Sequence, residues 1–113
     1  MTEIILEDVK TALGIIPDNL GFDSELLIHV NSAKSILVQL GVAELDIPVG
    51  PSTEWPTFPS DLVESLTQHY MYAKVKLTFD PSASETISRT ISSSVTQLEG
   101  RIAHEIAEVI DAG

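Results

Sequence analysis

The 113-residue chain is long enough for one small domain with one core, and a hydrophobic content of 43% places it with folded globular proteins. Its 17 Asp and Glu against 6 Lys and Arg give a formal charge of −11. That balance disfavours gripping a nucleic-acid backbone or an anionic membrane, because such binding rests on counterion release by basic side chains. The absence of cysteine excludes disulfides and thiolate metal sites.

Aromatic residues make up only 5%, so the core must be built from Leu, Ile, Val and Ala, a composition that suits helix-on-helix packing. "MTEIILEDVK" carries acids within its first ten residues, so a secretory signal is not expected at this start. No apolar run approaches the length needed to cross a bilayer.

In chain order, "TEIILEDVKTALG" reads as a short first helix ending at Leu13, with Gly14 just past its end as a stop. "GIIPDNLGF" is a turn punctuated by Pro17, Asn19 and Gly21. A second helix is expected from Asp23 to Leu40, with Asp23 as N-cap and Gly41 closing it. Leu26, Val30, Ala33, Leu37 and Leu40 recur at the spacing of one buried helical face.

Residues 42 to 59, "VAELDIPVGPSTEWPTFP", hold four of the six prolines and the only tryptophan, so they read as a long loop. Trp55 and Phe58 are expected to pin it against the core. Loops this long in compact domains are usually functional or flexible.

The third helix is expected to begin at Ser60 or Asp61, with Leu62, Leu66, Tyr70, Ala73 and Leu77 as its apolar stripe. Lys74 and Lys76 near its end suit the negative end of the helix dipole. Pro81 stops this helix and pushes Asp80 out of helical geometry. Phe79-Asp80-Pro81 therefore reads as a helix–helix corner rather than a chemical site, with Ser82 and Glu85 spaced as a capping box for the fourth helix.

That last helix carries Ile87, Ile91, Val95, Leu98, Ile102, Ile106 and Val109 on one face, with Glu85 and Arg89 as an i,i+4 pair. It is long for so small a domain, so part of its stripe is expected to pack on another chain. The predicted fold is a single all-α domain, residues 1 to 113. It is a bundle of about four helices with a long C-terminal helix and a proline-rich loop between helices two and three.

Two short matches point to chemistry. "GFDSELL" resembles the phosphopantetheine attachment site of acyl carrier proteins, with Ser24 as the attachment residue; the short upstream helix and Glu25 after the serine depart from that pattern. The bland alternative is a helix cap. "HEIAE", His104 to Glu108, resembles half of a zinc-protease helix, but Glu108 stands where the second histidine belongs. His29, His69 and His104 fall on three different predicted helices. No phosphate loop, Ser-His-Asp arrangement or nucleophile elbow occurs, so no catalytic, cofactor or metal residue is assigned.

The order of "LEDVKTALGI", "DSELLIHVNSAKSILVQLG", "LTQHYMYAKVKLTFDPS" and "QLEGRI", covering about Ile5 to Ile106, resembles the head-tail connector (adaptor) proteins of long-tailed bacteriophages and prophages. Its most specific pieces are Phe79-Asp80-Pro81 and Leu98-Glu99-x-Arg101-Ile102. The resemblance implies a non-enzymatic, α-helical virion protein assembled in the bacterial host cytoplasm. It implies a ring of neighbouring copies, usually twelve, beneath the portal protein, with DNA passing through unbound and a downstream neck or tail-completion protein below. Portal contacts are expected from the C-terminal region, where the chain stops at Gly113, soon after the last helix. Interface candidates are Trp55 and Phe58 in the loop and Ile102, Ile106 and Val109 on the last helix. A cytosolic helical protein–protein interaction module remains the other non-enzymatic reading.

Overall fold

The computed structural model describes residues 3–79 and 85–112. Four α-helices follow one another: α1 (Ile5–Ala12), α2 (Asp23–Gln39), α3 (Asp61–Phe79) and α4 (Glu85–Ala112). A single 3-10 turn, Ala43–Leu45, interrupts the long connection between α2 and α3. The expected all-α bundle with a long last helix is what forms. Asp80, Pro81 and the Ser82 half of the capping box lie outside the described residues.

α3 is the central helix. It packs against α1, α2 and α4, whereas α4 has α3 as its main neighbour. The Phe79 ring at the end of α3 meets Phe22 edge-on at 5.6 Å and His29 at 6.0 Å, so α2 starts where α3 ends and the two run antiparallel. The molecule measures 43 × 35 × 21 Å, with α2 and α4 on opposite flanks of α3. Helices packed 8–10 Å apart give about this width for three abreast.

Central position widens and shifts the narrow stripe expected on α3, of which Leu66 and Tyr70 are buried. Its buried residues are Val63, Leu66, Thr67, Tyr70, Met71 and Val75, a broad arc. Leu62 is 45% exposed, and Ala73 and Leu77 are half-buried. A helix with three neighbours must bury a wider arc, so the row Val63, Thr67, Met71 and Val75 joins Leu66 and Tyr70. α4, with one main neighbour, follows the expected stripe closely. Val95, Leu98, Ile102 and Ile106 are buried, Ile91 and Val109 half-buried, and Ile87 is exposed at the start.

The ends of the helices show which local signals prevailed. Gly14 at φ +78 and Gly41 at φ +113 take the left-handed geometry that stops α1 and α2. Gly41 has a second reason: a Cβ there would lie 2.8 Å from Ile106 Cγ2, so the glycine lets the end of α2 approach α4. Ser60 caps α3 by accepting the Val63 N–H at 3.1 Å. Asp23 does not cap α2. It is the first helical residue, Phe22 stands at the cap without a side-chain bond, and the Asp23 carboxylate accepts from Lys10 Nζ at 2.9 Å.

Lys10 is 2% exposed and also donates to the Pro17 carbonyl at 3.0 Å. One buried ammonium thus ties α1, the turn and the start of α2 together, with hydrogen bonds offsetting the cost of desolvating its charge.

The Val42–Pro59 connection is anchored along its length. Val42, Leu45, Val49 and Phe58 are buried in the core. Asn31 of α2 clamps Val49 from both sides, donating to its carbonyl at 3.0 Å and accepting its N–H at 3.1 Å. Ile4 and Glu54 form an antiparallel bridge, with Ile5 N–H donating to Thr53 O and Trp55 N–H to Glu3 O, each at 3.0 Å.

Candidate assembly surfaces

The residues singled out from the sequence fall into three groups. Leu98, Ile102 and Ile106 are core residues on the face of α4 that meets α3. Glu99 lies beside that seam and accepts the Tyr70 hydroxyl at 2.8 Å, joining α3 to α4. Burial, reinforced by this carboxylate, pushes the Tyr70 phenol well above the ordinary tyrosine range. Arg101 points the other way and is exposed, lining a shallow depression with Gly100 and His104.

The loop residues form the second group. Phe58 is buried, while Trp55 is half-buried and its ring approaches Phe58 and Tyr72, each at 6.4 Å between centroids. The Trp55 indole N–H donates to Asp8 Oδ2 at 2.8 Å, tying the loop to α1. Acids gather beside it. Glu3 has a raised pKa, first through a hydrogen bond with Asp8 and then through the Asp8 and Glu64 charges and partial desolvation. Tyr72 is pushed up to about 12, first by burial and then by Asp8 and Glu3.

The third group is the far end of α4, where Val109 is half-buried and Ile110 is 70% exposed. With Gly41, Pro59 and Ile106 they line a small depression between α4 and the start of the loop. Phe79, by contrast, sits at the opposite end of the molecule, half-buried against Phe22 and His29.

The three histidines do not converge. His29 packs on Phe79, His69 is exposed on α3, and His104 Nε2 lies 3.5 Å from Glu108 Oε1 within α4. Among the described residues, no group of three His, Cys, Asp or Glu side chains is placed to hold a metal ion. Ser24 is exposed on the first turn of α2. Among the described residues, no helix is long and apolar enough to cross a membrane.

A family model described as "Phage connector protein" matches residues 5–108. The chain belongs to the phage connector protein family. No curated protein and no solved structure matches it. The matched range takes in every described helix up to the last turn of α4, including the anchored loop, so the connector match covers the whole bundle. The connector family is a structural one, and membership makes this chain a component of the phage particle.

Three connector residues that organise these surfaces were not singled out in sequence: Lys10, Asn31 and Asp8. Asn31 left a signal, because asparagine inside a helix competes with the backbone for hydrogen bonds and needs a reason to be there. The reason is Val49, eighteen residues on. Lys10 and Asp8 left none, since surface helices commonly carry such charges.

Proposed function

We propose that this chain is a structural subunit of the head-to-tail connector, that copies form a ring beneath the portal protein, and that the ring extends the DNA channel. Twelve copies is the number this reading adopts. The lower face receives a neck or tail-completion protein, and the subunit performs no catalysis. The observation that carries the reading is the family match across residues 5–108.

The physical chemistry supports it. At −11, the subunit repels phosphate, so a channel built from it lets DNA slide without holding it. The slab shape leaves two long helical flanks, α2 and α4, available to neighbours on either side. Trp55 and Val109, each half-buried, are the proposed contact residues, with Phe58, Ile102 and Ile106 holding them in place from the core.

The test is to mix the chain with its portal protein and examine the product by native mass spectrometry and negative-stain imaging. Rings bound to the portal are expected. A chain that stays monomeric and ignores the portal over a wide concentration range overturns the reading. A monomer in isolation does not, because binding a partner shifts such assembly equilibria.

A further inference from the structure

On one broad face, α1 and α4 flank a groove floored by α3. Ala12, Ala73 and Ile91 supply apolar surface, Lys76 and His69 stand over it, and Thr90 adds a hydroxyl. The groove holds about 260 Å³. Lys76 is exposed and makes no ion pair among the described residues. Three of the six basic residues, Lys74, Lys76 and Arg89, belong to the end of α3 and the start of α4, which border this groove.

The far end of α4 has the opposite character. Ile110 is 70% exposed, Asp111 next to it is an exposed carboxylate, and Glu108 is exposed on the other side of the same turn, beside His104. The last turn of α4 carries no basic residue, so its acids add to the negative end of the helix dipole instead of offsetting it. An exposed apolar side chain with Asp111 at its flank, on the carbonyl end of a helix whose last turn lacks cations, is the complement of an apolar groove lined by a lysine and a histidine.

One copy cannot join the two. Ile91 in the groove and Ile110 at the tip belong to the same continuous helix, nineteen residues and therefore about 28 Å apart. The occupant must come from another molecule. We propose that the last turn of α4 in one copy seats in the α1–α4 groove of a neighbouring copy. Ile110 meets the apolar floor, and Asp111 with the carbonyl end of the helix faces Lys76 and His69. The contact is head-to-tail, the kind that closes into a ring when the rotation between copies permits. It rests on the ring reading above and specifies which surfaces make the ring.

Two substitutions at exposed positions test it without touching the core. Ile110→Asp removes the tip and keeps the groove; Lys76→Glu spoils the groove and keeps the tip. Circular dichroism verifies that both fold. Sedimentation velocity is run on the wild-type chain, on each variant and on their equimolar mixture, and the series is repeated on portal protein.

The wild type is expected to build higher oligomers, alone or on the portal, and each variant to associate at least tenfold more weakly. The mixture restores one intact contact per pair, so it is expected to stop at a one-to-one heterodimer. Variants that assemble like wild type, or a mixture with no heterodimer, overturn this contact. If wild-type rings persist in that case, the ring reading survives and another surface makes the ring. A wild type that forms no oligomer even on the portal overturns both.

Discussion

From Glu85 to Ala112 the backbone is one unbroken helix, whereas from Val42 to Pro59 it holds a single 3-10 turn. Anchoring runs the other way. The helix leans on α3 along one stripe and leaves its outer face open, while the irregular segment buries Val42, Leu45, Val49 and Phe58 and is clamped by Asn31 and by the Ile4–Glu54 bridge. Regular backbone satisfies its own hydrogen bonds, so a helix can stand with little support. An irregular segment must borrow partners from the rest of the fold, and here it borrows them from α1 and α2. On the proposed assembly, α4 therefore offers an open helical face, while the segment is held rigid enough to present Trp55.

Gly41 joins the two regions, and substituting it should have the largest effect. Gly41→Ala places a methyl against Ile106 and forces an L-residue to φ +113, which together should cost about 3 kcal/mol. Urea unfolding checks the loss. A cost below about 1 kcal/mol would mean that the α2 terminus and α4 are not held as closely as 2.8 Å implies. Asn31→Ala isolates the segment. It leaves both polar groups of Val49 without their side-chain partner, a loss of about 2 kcal/mol. Amide exchange at Val49 should accelerate while exchange in the middle of α4 stays slow. Equal acceleration in both would show that the segment and the helix open as one unit, and the contrast between them would fall.

The sequence conveyed α4 better than the segment, for a physical reason. A helix with one neighbour writes its burial as a single period, and Val95, Leu98, Ile102 and Ile106 are spaced accordingly. α3, with neighbours on several sides, adds the i,i+4 row Val63, Thr67, Met71 and Val75 to Leu66 and Tyr70, and the polar Thr67 in that row gives no apolar signal. In the segment, prolines announced the lack of helix, and Trp55 and Phe58 announced contact with the core. The anchors themselves, Asn31 to Val49 and Trp55 to Asp8, are long-range pairs whose members look ordinary alone. The proposed assembly surfaces were legible in the same uneven way. The open length of α4 followed from counting residues, but the groove over α3 depends on where α1 lies, and eight helical residues do not say which helix they will cross.

The two tyrosines probe both regions with one measurement. Tyr70 faces Glu99 on α4, Tyr72 lies edge-on to Trp55, and the chain has no others. Burial raises both phenols, and a raised folded pKa means the folded state holds the proton more tightly. Their contribution is complete below the unfolded value of about 10 and is lost as pH rises through the folded values. Phenolate absorbance in the folded protein should therefore stay low past pH 10, with Tyr72 titrating at about 12 and Tyr70 later. Early titration of one tyrosine alone would show which region loosens first. At neutral pH, Tyr70→Phe should cost about 1 kcal/mol by leaving the half-buried Glu99 carboxylate without its donor.

The smallest effect belongs to the pair with the shortest distance. Arg89 Nη2 lies 2.6 Å from Glu85 Oε1 on the first turns of α4, closer than any other ion pair among the described residues, yet both side chains are 79% exposed. Water already solvates each charge, and holding two long side chains in one geometry costs entropy, so Arg89→Ala should change stability by less than about 0.5 kcal/mol. Thermal unfolding in low and moderate salt separates the cases. A small loss that fades with salt is the expected result. A loss above 1 kcal/mol that salt does not reduce would mean the start of α4 depends on this contact, making the helix less self-sufficient than its backbone suggests. The Tyr70–Glu99 bond is the control, being longer by 0.2 Å and more costly to lose, because what separates the two pairs is how much water each surviving partner can still reach.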